Sequence, residues 1–431
     1  MMSKLSENNT LPPGRAINLA SIVSLLSSIQ LMTFNTYVVI YLEADLLVAV
    51  IIITIIMSAR NFLQLFLRIP LGELSQVIGR KPLILFGHFS FSTAILLLFF
   101  ARDWVLVFVG VIFIAVGMSA FWPALFAYIG DFSDKSGSFG ENNGRIFRTW
   151  DIGIIIASLT AKILLDVISM DLQDIFLIIG SFGFISGLVA ILILPEGLLE
   201  EQRKQVASLP RALYGSLTSM FASLVKITRE KGMLEIYAFQ FIIAFLEFMM
   251  MTFFPVLVVA RGFSRGNVAE IAFWATLVLL WFKPYLGRVT DRIPFSSLTT
   301  VMLVISSIAV LLITAASELW LFVCLYIVYS GCIITTYTAA NGETARRAPA
   351  AYRGVSLGVL GFYVASGRTV STVLLGPIWD LINLEAVFYI GTLISLISSI
   401  ALFILYSRNN HKTAKKLPVA PDDGKTADMS V

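Results

Sequence analysis

Charge is scarce in this sequence. Asp, Glu, Lys and Arg make up 13% of its 431 residues, where a soluble domain carries about a quarter. Cysteine and histidine occur twice each. Cys324 and Cys332 stand eight positions apart on one expected helix, about 12 Å by helical rise and too far to bridge. They read as packed thiols, and they suggest no disulfide framework and no metal site. Also missing are H-E-x-x-H, G-x-S-x-G and a Walker glycine-lysine loop, so no catalytic residue, metal or cofactor is expected and ATP is not expected as a direct driver. The polar start, MMSKLSENNTLPPGR, lacks the short apolar core and small-residue cleavage site of a signal peptide, so the first apolar run is expected to be retained as a span. The formal charge of +4 is spread over short loops and suggests no nucleic-acid partner.

What the chain has is apolar length. It is 58% hydrophobic, with a mean hydropathy of +0.87. About 20 apolar residues cross the ~30 Å hydrocarbon core as a helix, and runs this long are too continuous for barrel strands. The expectation is an all-α, polytopic membrane protein whose partner is the bilayer. Runs and breakers give twelve spans near 16–42, 46–70, 82–100, 104–129, 146–167, 174–194, 234–258, 267–286, 297–315, 319–339, 355–378 and 385–406. Of the 31 Lys and Arg, 22 fall on the side of the two termini and three (Arg102, Arg261 and Arg265) on the other. The positive-inside bias therefore predicts both termini in the cytoplasm of a multi-pass protein of the cell membrane.

Five segments follow: a tail 1–15, a six-helix bundle 16–194, a linker 195–233, a second bundle 234–406 and a polar, disordered tail 407–431. In the linker, Leu213, Leu217, Met220, Phe221 and Leu224 share one helical face, which predicts an amphipathic helix lying on the membrane or against the bundle.

The two bundles echo each other. Gly72 and Gly287 follow the second and eighth spans, 215 positions apart; Asp131 and Glu343 close the fourth and tenth, 212 apart; Gly144 and Gly354 open the fifth and eleventh, 210 apart. Such weak internal symmetry marks many secondary transporters, and six-span copies keep the same orientation. The stretch GELSQVIGRK between spans two and three resembles the loop signature of the major facilitator superfamily, G-x-L-x-D-R-x-G-R-R/K, through Gly72, Leu74, Gly79, Arg80 and Lys81. The second copy keeps Gly287, Asp291 and Arg292, while Gln76 and Val77 replace the acidic and basic positions of the first. The resemblance implies two parallel six-helix repeats, alternating access, a small-molecule substrate, a proton or other coupling ion, and a monomer. It also implies that Asp291, with Arg80, Lys81 and Arg292, helps to latch the cytoplasmic side. The antiporter-type glycine-proline motif is absent from span five.

Charges inside spans are costly, about 2.5–3.5 kcal/mol each even on lenient insertion scales. Arg60, Glu247 and Arg368 fall near mid-span, with Gln240 on the face of Glu247 seven residues earlier. They are read either as a structural ion pair between the halves or as substrate and proton-coupling groups. Asp151 and Arg148 are expected to pair with each other, Lys162 and Lys283 to snorkel, and His88 to be packed and neutral. By the resemblance, spans one, four, seven and ten line a central cavity with Gln30, Asn35, Trp122, Tyr329 and Tyr337. Aromatics with polar handles suit amphipathic, drug-like ligands, whereas the arginines suit organic anions or sugar-like metabolites. A transporter-like receptor or scaffold is the reading from another class.

Overall fold

The computed structural model describes residues 13–136, 139–197, 224–230, 232–348 and 353–414. Among these are twelve long helices: α1 (Pro13–Ile40), α2 (Val50–Ile78), α3 (Arg80–Phe100), α4 (Trp104–Ser136), α5 (Phe139–Lys162), α6 (Leu172–Ile193), α7 (Met233–Ala260), α8 (Arg265–Arg292), α9 (Phe295–Ala315), α10 (Leu319–Arg347), α11 (Arg353–Leu381) and α12 (Leu384–Ala414). Each expected span coincides with one helix, and most helices run a turn or two past the apolar run, where polar residues continue the backbone ladder into the interface. Eleven of the helices are long and apolar enough to cross a membrane. The exception, α5, carries Glu141, Arg145, Arg148, Asp151 and Lys162. Apart from Leu224, the residues named for the amphipathic linker helix lie outside the described residues, as does most of the C-terminal tail.

Apart from the 195–233 segment, the connections between helices are short, and they alternate between two ends of the bundle. The described chain ends, Pro13 and Ala414, and the α2–α3 and α8–α9 turns share one end, called here the terminal face; the α1–α2 and α7–α8 turns lie at the far face. The α2–α3 turn is a single residue, Gly79, at φ 105°, a backbone conformation for which a Cβ is a steric burden. Its counterpart in the second half is built differently. Ile293 and Pro294 are both extended, at φ −108° and −55°, so the proline that breaks the sequence repeat sits in a turn that needs no left-handed residue.

Close helix approaches use missing side chains, as membrane packing favours. A Cβ on Gly87 of α3 would lie 2.9 Å from the carbonyl of Gly117 on α4, and one on Gly367 of α11 would strike the Phe241 carbonyl of α7. The second approach brings Arg368 beside α7. Helix α7 is the most enclosed of the apolar helices; as expected of a helix apolar on all sides, it forms the spine of the second half.

Candidate functional site

Glu247 on α7, Arg368 on α11 and Tyr337 on α10 meet in the second half. The guanidinium of Arg368 grips the carboxylate with two prongs, Nε to Oε2 at 3.0 Å and Nη2 to Oε1 at 3.0 Å. The Tyr337 hydroxyl donates to Oε2 at 2.6 Å. The pair is three-quarters or more buried, with side-chain exposures of 15% for Arg368 and 24% for Glu247. A bidentate, charge-assisted fork of this kind fixes orientation as well as energy.

Arg60 on α2 has different company. It is 1% exposed. Nη1 donates to the Asn35 amide oxygen of α1 at 2.7 Å, Nη2 points at the thioether of Met118 on α4 at 3.1 Å, and Nε has no partner. Two turns nearer the terminal face, Arg68 reaches only the Gly361 carbonyl of α11, at 3.5 Å. Among the described residues, neither arginine meets a carboxylate. Arg60 nevertheless lies within Coulombic range of Arg368 and Glu247, and Arg68 within range of Arg368 and Tyr337. The Ser58–Thr372 hydrogen bond at 2.6 Å ties α2 to α11, one turn from Arg368.

The other expected site residues divide. Asn35 belongs to the Arg60 site. Gln240 is fully buried on α7 with both amide atoms unpartnered. Tyr329 is buried and packs on Tyr326, which stacks with Phe254 at 4.7 Å. Trp122 joins an aromatic cluster between α4 and α5, stacked on Phe147 at 5.7 Å and 4.7 Å from Trp150. Gln30 turns into the core of the first half, not toward Arg60. Its amide accepts from Ser92 at 2.7 Å and touches His88. Nε2 of His88 faces the Gly183 carbonyl at 3.0 Å, which can only accept, so that nitrogen carries the proton and Nδ1 faces Ser27. This is the packed imidazole expected from the sequence.

Three charges expected to sit alone or locally instead bind across the halves. Asp151 of α5 pairs with Lys283 of α8, not with Arg148. Lys162 reaches Asp166 at 2.6 Å and Glu270 at 2.9 Å, while Arg265 meets Asp45 at 2.9 Å. Spacing along one helix could show Asp166, an i,i+4 neighbour of Lys162, but not the partners that lie on the other bundle. At the terminal face the described ion pairs stay within a half. Arg80 bonds Asp131 at 3.0 Å and Ser75 at 2.6 Å, Lys81 bonds the Ile191 carbonyl at 2.7 Å, and Arg347 bonds Glu235 and Glu343. Arg80 and Lys81 therefore fasten α2 and α3 to α4 and α6. A Cβ on Gly72 would touch Pro123 at 3.2 Å, whereas Gly287 has open space. Arg292 is exposed, and the side chain of Asp291 lies outside the described residues.

The arrangement is that of paired bundles tied by ion pairs at the far face. Solved structures share the paired-bundle fold at low sequence identity. A mutant of the nucleoside transporter NupG superposes with a TM-score of 0.74 at 13% identity, covering 91% of this chain and 100% of that one. A POT family transporter in complex with 5-aminolevulinic acid gives 0.73 at 14%, covering 93% and 97%. The human organic anion transporter MFSD10 (TETRAN) gives 0.63 at 17%, covering 91% and 100%. No curated protein matches the sequence. The Major Facilitator Superfamily pattern matches residues 20–372, most of both bundles, and with the duplicated helices, the GELSQVIGRK turn and the shared fold it shows that this chain belongs to that superfamily and is a membrane transporter.

Proposed function

We propose that the chain is a proton-coupled secondary transporter of a small molecule, working as a monomer with both termini cytoplasmic and the bundles 16–194 and 234–406 as its moving bodies. On that sidedness the far face is the outer one. The cross-half pairs Asp45–Arg265 and Lys162–Glu270 then hold it shut, which corresponds to an inward-facing state. Arg80 and Lys81 would act as braces within the first half, and Asp291 and Arg292 remain the candidates for a latch between halves at the inner side.

The observation that carries the coupling is the Glu247 fork. A proton on the carboxylate cancels the charge that Arg368 grips, so proton binding and the ion pair exclude one another. Both groups lie in the second half, so rocking of the halves leaves them together but moves Arg60 and Arg68 of the first half relative to them. Occupancy of the site, conformation and protonation are thereby linked through one carboxylate. Enclosure by Tyr337 and α7 keeps the exchange away from bulk water.

Purified protein in vesicles loaded with a pH-sensitive dye tests this reading. Adding substrates from a compound library to wild type should produce proton flux with at least one of them. Glu247→Gln should abolish accumulation driven by a pH gradient while retaining downhill exchange. Folded Glu247→Gln protein with full proton-driven accumulation would refute the carboxylate's role. Vesicles that move neither solute nor proton under any condition would favour the receptor reading.

A further inference from the structure

Arg60, Arg68 and Arg368 lie along the α2–α11 side of the bundle, and among the described residues one carboxylate, Glu247, pairs with one of them. Arg368 is matched by Glu247. Arg60 is buried to 1% exposure with neutral acceptors and a free Nε, and Arg68 holds a single long bond to a carbonyl. An isolated guanidinium out of water costs several kcal/mol. Asn35 and a thioether, a weak acceptor, return a small part of that. Such a charge persists in a membrane helix when something anionic completes it during the working cycle. Neighbouring polar atoms are also left open: Asn61 Oδ1 beside Arg60 on α2, and both amide atoms of fully buried Gln240 on α7.

We propose that the transported substrate is a small organic anion, whose carboxylate or phosphate group docks on the Nε edge of Arg60, with Arg68 as the first cation it meets from the terminal face. The assignment rests on the transporter reading above and names its substrate class. Arg68 lies eight residues from Arg60, about 12 Å along α2. One anionic group therefore meets them in succession and not together, a charged step leading inward. The planar fork of Arg60 suits carboxylate and phosphate oxygens. Protonation of Glu247 would free Arg368 as a further cation, so an anion and a proton would favour each other's binding. Neutral solutes and organic cations gain nothing from this field, and cations are repelled by it.

The test is thermal stability of the purified full chain in detergent with succinate, benzoate or glycerol 3-phosphate, against glucose, uridine and tetraphenylphosphonium. At least one anion should raise the melting temperature saturably, with affinity falling as salt rises, and the neutral and cationic compounds should not. Arg60→Gln should weaken that anion tenfold or more, Arg60→Lys and Arg68→Gln by less, and Arg102→Gln, an exposed arginine at the far face, should leave it unchanged. If Arg60→Gln fails to fold, Arg60→Lys decides, because it keeps the charge and loses the fork. No anion shift in wild type, undiminished affinity in folded Arg60→Gln, or, where that variant does not fold, undiminished affinity in Arg60→Lys, overturns the assignment. Glu247→Gln separates the two readings: it should still bind the anion, more tightly, while losing proton-driven uptake. Full uptake there with Arg60-dependent anion binding would refute the coupling alone. Coupled transport of a neutral solute with no anion binding would refute the substrate class alone.

Discussion

The two halves each bury an arginine in mid-membrane and treat it in opposite ways. In the second half, Arg368 is neutralised on the spot by a carboxylate and a phenol. In the first, Arg60 is more deeply buried yet receives an amide oxygen and a sulfur. The same duplicated scaffold thus holds one satisfied cation and one unsatisfied cation. A satisfied pair resists loss of either member, whereas an unsatisfied charge destabilises the empty protein and is useful only when filled. The comparison predicts effects of opposite sign for substitutions that look alike on paper.

The largest effect should come from breaking the satisfied pair. Glu247→Gln or Arg368→Gln alone leaves a buried charge without its partner, a cost of about 3 kcal/mol at the low end of the usual range, given the partial exposure of both groups. Melting of purified protein should show it as a clear drop. The double variant should recover most of the loss, since no charge remains uncompensated. Arg368→Lys should recover less than half, because an ammonium cannot reproduce the two-pronged grip. Equal losses in the single and double variants would mean that the fork contributes no coupling energy.

A smaller effect of the other sign is expected at Arg60. Arg60→Met removes a desolvated charge that costs several kcal/mol and forfeits a charge-assisted bond of about 1.5–3 kcal/mol, and Asn35 loses its donor. The balance should raise stability of the empty protein by about 1 kcal/mol while abolishing stabilisation by anions. A marked drop in melting temperature would show that Arg60 is structurally satisfied, and the contrast between the halves would vanish.

The contrast was only partly legible in the sequence. Twelve apolar runs, the breakers between them and the repeated glycines give the helices and the duplication, because a helix in lipid must satisfy its own backbone and so leaves an uninterrupted signature. The rarity of charge singled out Arg60, Glu247 and Arg368 for the same reason. Which of them pair was not legible. Spacing along one helix says nothing of the rotation of α7 against α11, which the Gly367 contact fixes. Lys162 and Lys283 looked like end-of-helix residues free to snorkel, and Asp151 like a local partner of Arg148, because their cross-half partners sit on a different bundle. Gln30 looked like a cavity residue on a polar face of α1, but that face meets His88 and Ser92 of α3.

The smallest effect concerns the far-face ties, and it sharpens the comparison by asking whether the Arg60 site is filled from one side at a time. Asp45–Arg265 and Lys162–Glu270 each span the halves, with side-chain exposures between 28% and 32%. Pairs of that kind contribute about 0.2–1 kcal/mol and are weakened by salt. Asp45→Asn with Glu270→Gln should therefore shift the balance toward far-face opening by a factor of a few, without changing the fold. A cysteine introduced at Ser317, in the far-face turn between α9 and α10, provides one reporter, and a cysteine at Ser58, beside Thr372 at the α2–α11 contact, provides another. Labelling from the far side should rise several-fold at Ser58 and stay constant at Ser317, and high salt should raise the wild-type rate toward that of the variant. If both rates stay constant, the far face is closed by apolar packing, and the ion pairs only decorate it.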